Sequence, residues 1–286
     1  MSENESRNNP TLGVVVVAAP REPLGRCLSS LVGAVDEIVV LTWSRAQAQV
    51  ARRYDAHLVN VRRQDNPGAF RQQGQEALKT DWVLVLDPDE YLEPGASTFV
   101  RDLIVRAEPD VTGFWLPYSM LFYGQRLEAS FPGISQLRLF RRNKVVYDGS
   151  LHGTPVAREG RMCHVSRDEP LLSHIFVEHL LDRFRRHLLW ARIEASELAS
   201  AGRRLSDPYE ILAVARTEFE KYFLQRAGYR DGVPGLINAV MHAWMRAAVA
   251  ALLWEATTPR NYELEAVSDW GALFRKLESF RVEPRL

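Results

Sequence analysis

The segment Leu86-Asp87-Pro88-Asp89-Glu90-Tyr91-Leu92 puts three carboxylates within four residues, directly after the apolar run Trp82-Val83-Leu84-Val85-Leu86. A run of that length reads as a buried strand or a short buried helix. Asp87 and Asp89 stand two apart. In an extended or turning backbone that spacing lets both carboxylates converge on one hard cation. Mg2+ and Mn2+ favour oxygen ligands, and a magnesium site takes one or two carboxylates together with substrate phosphates. Acidic groups at the carboxyl end of a parallel strand also lie where open α/β sheets bind ligands. The plainer alternative is a solvated acidic turn beside a helix that begins near Glu93.

The surrounding elements must present these groups. Leu12–Ala18 is a β-branched run and reads as a buried strand. Strands are also expected over 36–42, 56–61 and 82–87, and helices over 26–35, 44–54, 68–79 and 93–107. Short buried strands alternating with helices imply a parallel sheet covered on both faces. After Pro109 the pattern changes to short strand candidates at 113–118, 135–142 and 144–147, with Asn143 marking a turn. Residues 149–168, rich in Gly, Pro and charge, read as loop. From Val177 the chain reads as helical, with an apolar stripe through Val177, Leu181, Phe184, Leu188, Ala191, Ala195 and Leu198. Asp207-Pro208 has the chemistry of a helix start. Further helices are expected over 233–255 and 262–280. The divisions that follow are a disordered tail at 1–10, an α/β domain at 11–175 and a helical extension at 176–286.

Bulk composition narrows the class. The 286 residues carry no formal net charge, which argues against a nucleic-acid binder. An apolar fraction of 46% supports a sizeable core. Residues 1–10 lack the apolar stretch of a signal peptide. Cys27 and Cys163 have no CxxC spacing and read as free thiols of a reducing cytosol. The 233–255 helix is nearly long enough to span a bilayer. Asn238, His242 and Arg246 nonetheless recur every four residues, and a central arginine costs about 2.5–3.5 kcal/mol on insertion scales. A core helix is expected, with an interface against a second copy or a membrane surface as the alternative.

The run Thr80-Asp81-Trp82-Val83-Leu84-Val85-Leu86-Asp87-Pro88-Asp89-Glu90 resembles the Asp-Trp-apolar-Asp-x-Asp-Glu segment of family-2 glycosyltransferases of the GT-A fold. Other stretches agree in order: Arg26-Cys27-Leu28-Ser29-Ser30-Leu31 with Val35-Asp36-Glu37-Ile38-Val39-Val40, Phe70-Arg71-Gln72-Gln73-Gly74, and Leu137-Arg138-Leu139-Phe140-Arg141-Arg142 with Tyr147-Asp148-Gly149-Ser150-Leu151-His152. The last pair, and Asp231-Gly232-Val233-Pro234-Gly235-Leu236, are similar to the branch near lipopolysaccharide-core glucosyltransferases. The resemblance implies a GT-A-like, mostly parallel twisted sheet flanked by helices, with an antiparallel extension and a C-terminal helical bundle. It implies transfer of a sugar from a nucleotide diphosphate sugar to an acceptor hydroxyl (a saccharide, a lipid-linked glycan or a peptide), with inversion. Mg2+ or Mn2+ would be held chiefly by Asp89, with Asp87 on the metal or the donor ribose, and would offset charge on the leaving group. Glu90 would orient water or sugar. Arg71 and at most two of Arg138, Arg141 and Arg142, whose side chains alternate along a strand, would face the diphosphate, and His152 would approach metal or phosphate. Apart from the resemblance, the free thiols fit a cytoplasmic setting, and the C-terminal helices leave open peripheral contact at the inner membrane face or a homodimer.

The chain departs from that family at several positions. Ala18-Ala19-Pro20 stands where Lys-Asn-Glu is usual. Leu41-Thr42-Trp43-Ser44-Arg45 replaces a loop with an aspartate that contacts the base, so Trp43 is either a base-stacking residue or a core tryptophan. Gly153 replaces a glutamate that serves as general base, leaving Asp148 as the nearest carboxylate. His174, in an apolar setting, reads equally as a core or a site residue. Two readings remain open: an active transferase, and a degenerate relative kept as a binding or assembly module.

Overall fold

The computed structural model describes residues 9–62, 67–147, 155–166, 170–205, 207 and 209–258. The expected tail through residue 8 and the helix at 262–280 lie outside the described residues. So do Asp148 and His152. The chain divides into two compact units, residues 1–121 with 133–176 and residues 122–132 with 177–286.

The first unit starts with alternating strands and helices: β1 (Leu12–Ala18), α1 (Leu24–Ser29), β2 (Glu37–Thr42), α2 (Arg45–Arg52), β3 (His57–Asn60), α3 (Pro67–Ala77) and β4 (Trp82–Leu86). The four strands are parallel in the order β3-β2-β1-β4. Side chains of β1 alternate between faces. Leu12, Val14 and Val16 pack with Leu24, Cys27 and Leu28 of α1, whereas Val15 packs with Phe70 and Leu78 on the α3 side. Both faces are dry, so the strands read as unbroken apolar runs. Register sets Ala18 opposite Thr42, Thr42 opposite Asn60, and Val16 opposite Leu86. The carboxyl ends of the parallel strands therefore form one mouth.

Beyond β4 come β5 (Glu90–Leu92), α4 (Ala96–Arg106), β6 (Val111–Phe122), β7 (Gln125–Arg126), β8 (Ser135–Arg141), β9 (Val145–Tyr147), β10 (Pro155–Ala157), β11 (Arg161–His164) and β12 (Leu172–Val177). β8 runs antiparallel to both β4 and β6, and β12 antiparallel to β5. The expected α/β sheet with an antiparallel extension is what forms. Four local expectations change. The first helix ends at Ser29, and its remainder is turn. The carboxylate segment continues as β5, and the next helix waits until Ala96 because Gly95 adopts φ 79° after Pro94. The presumed loop at 149–168 contains β10 and β11. Val177 ends a strand instead of starting a helix.

The second unit holds α5 (Leu180–Ser200), α6 (Glu210–Glu220), a π-helical turn (Lys221–Gln225), a 3-10 turn (Gly228–Asp231) and α7 (Gly232–Thr257). Ala191 and Ala195 of α5 meet Val249 and Leu253 of α7. The buried line of α5 is His187, Ala191, Ala195, and Leu181 and Leu188 of the expected stripe are exposed. The polar stripe of α7 points inward: Asn238 is buried, the His242 ring lies 5.8 Å from that of His187, and Arg246 donates to Glu194 of α5 at 2.7 Å. Asp231 accepts from the Ala129 and Ser130 backbone N–H groups at 3.0 and 2.7 Å and from the Ser130 hydroxyl at 2.7 Å, tying residues 122–132 to the helices.

Candidate functional site

Asp87 and Asp89 leave the end of β4 at the mouth of the parallel sheet. The turn between β4 and β5 is closed by a backbone bond from Glu90 N–H to the Asp87 carbonyl at 2.9 Å, and by the Asp87 N–H donating to the Glu90 carboxylate at 3.0 Å. The two aspartates then take different partners. Arg71 of α3 donates to Asp87 Oδ1 at 2.6 Å, and Arg138 of β8 donates to Oδ2 at 3.0 Å. The Asp89 carboxylate faces His174 Nε2 of β12 at 3.4 Å. Arg138 also donates to Glu90. Arg138 is adjacent to the turn because β8 is antiparallel to β4: with Leu84 opposite Leu139, the next residue of β8 comes beside Val85.

Burial and charge set the protonation of this cluster. Burial alone would raise the Asp87 carboxyl, but the guanidiniums of Arg71 and Arg138 outweigh it and hold the group well below the usual carboxylate range. Glu90 is 2% exposed, and burial raises its carboxyl despite Arg138. Burial would lower Arg138, but Glu90 and Asp87 raise it. His174 is likewise raised against its burial, chiefly by the Asp89 charge. Beneath the turn the Cys27 thiol is pushed up by burial, then by Glu90, Asp87 and Asp89.

The metal question can be put to this donor set. Among the described residues no group of three or more His, Cys, Asp or Glu side chains is arranged to hold an ion. Both Asp87 oxygens accept from arginines, and each keeps a second lone pair with which it could meet a cation. Asp89 and His174 do present an oxygen and a nitrogen donor together. Three carboxylates face two guanidiniums and one histidine, and a divalent cation fits the residual negative charge once His174 is neutral. An oxygen–imidazole pair suits Mn2+ better than Mg2+.

Other sequence expectations are displaced. Arg141 was expected on the diphosphate, but it lies three residues along β8, opposite Trp82 at the amino end of β4. There its guanidinium donates to the Val111 and Glu108 carbonyls at 2.8 and 3.2 Å and sits 4.6 Å over the Trp82 ring. Arg142 donates to the Thr80 carbonyl at the same end. Strand geometry carries them about 10 and 13 Å from Arg138. Glu90, expected to orient water or the sugar, is buried under the turn, where it accepts from Arg138 and from the Asp87 N–H. His174, open in the sequence between a core and a site residue, and Tyr147 both border the cluster. Tyr147 is pushed up to about 12 by burial despite Arg71 and Arg138. Strand register brings His174 to the cluster, since it pairs with Glu90 across β12 and β5.

A second part of the mouth lies at the ends of β2 and β3. Trp43, Ser44, Arg45, Gln49, Arg52 and Asn60 line a cavity of about 430 Å³. Trp43 stacks on Phe70 at 5.7 Å, and Arg71, the next residue, reaches Asp87. Consecutive residues of α3 thus join the two parts.

No family model matches the chain. A TPR repeat-containing protein of Synechococcus elongatus is 33% identical over 143 residues. That match covers 48% of this chain, and the chain spans 35% of that relative's length. Among solved structures, it is similar to a mannosyltransferase from Pyrobaculum calidifontis in complex with GDP-Man and Mn2+, at 15% identity over 87% of this chain and 88% of that one, with a TM-score of 0.49. Glucosyl-3-phosphoglycerate synthase from Mycobacterium tuberculosis, in complex with Mn2+, UDP and glucosyl-3-phosphoglycerate, is 14% identical over 69% of this chain and 82% of that one, with a TM-score of 0.43. TarS 1-349 from S. aureus is 14% identical over 86% and 90%, with a TM-score of 0.42.

Proposed function

We propose that this protein is a glycosyltransferase that moves a sugar from a nucleotide diphosphate sugar to an acceptor hydroxyl, with inversion and with a divalent cation. The observation that carries the reading is the paired arrangement at the sheet mouth: Asp87 between Arg71 and Arg138, and Asp89 beside His174. It agrees with the Asp87-Pro88-Asp89-Glu90 resemblance to family-2 enzymes.

In this reading the acceptor oxygen bonds to the anomeric carbon as the bond to the diphosphate oxygen breaks. The nucleoside diphosphate leaves, and the acceptor proton passes to a base. Asp89 and His174 would hold the cation, which supplies charge neutralisation to the leaving diphosphate. Arg71 is the mobile clamp: it reaches Asp87 from the start of α3 and can transfer to a phosphate oxygen with the same fork geometry. Arg138, anchored by Glu90, keeps Asp87 ionised and oriented. Trp43, Gln49 and Asn60 offer stacking and amide contacts for a nucleobase in the 430 Å³ cavity. Asp148 remains the candidate base, and His152 a candidate phosphate contact, both on sequence grounds.

A thermal-shift panel with UDP and GDP, each with and without Mn2+ or Mg2+, tests this. One nucleotide at about one hundred times its dissociation constant stabilises by about 2.7 kcal/mol, which raises the midpoint by roughly 5–10 °C. The shift should need metal and vanish in Asp89→Ala. A second reading, a binding module without turnover, is favoured by Ala18-Ala19-Pro20 and Gly153 at the altered positions. It predicts no shift with any nucleotide, or a shift without donor turnover.

A further inference from the structure

We infer that the outward face of α7, with the adjoining flank of α5, seats the helical unit on the surface of an anionic lipid bilayer. α7 is built the reverse way from a solvated helix. Its polar residues point into the helical unit, with Asn238 buried, His242 stacked on Tyr222 and Arg246 bonded to Glu194 of α5, and its solvent side is apolar. Val233, Leu236, Val240 and Trp244 follow one another at steps of three, four and four. They are 67%, 41%, 48% and 37% exposed. The stripe runs about 16 Å along the helix without a charge. It continues onto α5, because Phe184 meets Trp244 edge-on with ring centroids 5.3 Å apart, and Leu181 and Leu188 lie exposed on the same flank. A contiguous apolar face of this kind marks an interaction site.

The charges beside it select the occupant. From Asp182 to Arg192, α5 carries four arginines, Arg183, Arg185, Arg186 and Arg192, against one acid, Asp182, which pairs with Arg185 at 3.2 Å. Arg185 follows Leu181 by four residues, and Arg192 follows Leu188 by four, so both arginines stand on the leucine flank. Leucine and tryptophan bordered by arginine fit the boundary between acyl chains and anionic headgroups. A second copy fits less well. A two-fold interface sets the same patch against itself and would oppose the arginine borders. The helix lies on the bilayer and does not cross it, since Arg246 and Glu194 on its other side are bonded within the protein.

The test is flotation of the full chain with vesicles of phosphatidylcholine, alone or mixed with phosphatidylglycerol, together with sedimentation velocity without lipid. The expected result is a monomer that floats with the mixed vesicles and is released by salt. Val240→Glu, at an exposed position, should weaken flotation at least tenfold while the melting midpoint stays unchanged, and Leu236→Glu should do the same. Arg185→Glu with Arg192→Glu should weaken binding to mixed vesicles by at least about twentyfold, at about fivefold for each arginine near an anionic surface. Equal flotation with phosphatidylcholine alone, flotation insensitive to Val240→Glu, or no flotation would overturn the proposal. So would a dimer that Val240→Glu dissociates, which would assign the face to a second copy. None of these readouts depends on nucleotide binding or turnover, so this inference and the proposed activity can fail separately.

Discussion

Arg138 shows how much one side chain holds at the sheet mouth. It answers two carboxylates, Asp87 and Glu90, from a position that is almost wholly buried. Removing one partner from such a group leaves an uncompensated charge out of water, at a cost of about 3–5 kcal/mol. Arg138→Leu should therefore lower stability by that amount in urea unfolding near neutral pH. Adding Glu90→Gln should recover part of the loss, because it removes one of the stranded charges. An Arg138→Leu protein as stable as the parent would show that the cluster carries no such strain. Arg71→Ala leaves Asp87 paired with Arg138, so its cost in stability should be at most about 1–2 kcal/mol. Its main effect should be weaker nucleotide binding in the thermal-shift panel. At this scale the sequence pointed to the carboxylates by type and spacing, and to Arg138 through the family resemblance. It could not separate Arg138 from Arg141, because which end of β8 meets Asp87 is a matter of strand direction.

The elements are held close by small residues. A Cβ on Gly74 of α3 would lie 2.4 Å from Val15 Cγ1 and 2.7 Å from Leu41 Cδ1, so glycine lets this helix settle on the sheet and aim Arg71 at Asp87. In α7 a Cβ on Gly235 would fall 1.9 Å from the Gly228 carbonyl oxygen, where only backbone movement could relieve it. Gly235→Ala should therefore destabilise the helical unit by about 1–3 kcal/mol, although alanine is the better helix former. Chemical denaturation reads this directly, and a neutral or stabilising outcome would refute the tight contact. The same scale explains where local reading succeeded. β1 and β4 are legible because both faces are dry and the apolar run is unbroken. β5 and β12 are short and depend on each other for pairing, so neither has a pattern of its own.

Across the whole molecule, acid should weaken the fold through the histidines of the helical unit. Burial, then Arg183, holds His187 down at about 4. Burial, then His187, holds His242 down at about 3. An unfolded chain takes up these protons below about 6.5. The folded state binds fewer protons than the unfolded state between about pH 6.5 and 4, so stability falls as pH falls through that window. The slope is of order 1 kcal/mol per pH unit for each histidine. His187→Gln with His242→Gln should flatten the decline measured by urea unfolding from pH 7 to pH 5. Asp87, whose folded value is depressed, adds to acid lability only below the ordinary carboxylate range. Residue types and their periods were enough to establish the parallel sheet, the antiparallel extension, the carboxylate turn and the helical second half, because burial imposes local patterns on the chain. Tertiary structure alone decided that His174 stands beside Asp89, that Arg141 is turned to the far end of β4, and that α7 shows its apolar side to solvent. Each of these depends on strand direction, register or helix facing, which are properties of contacts between segments far apart in the chain.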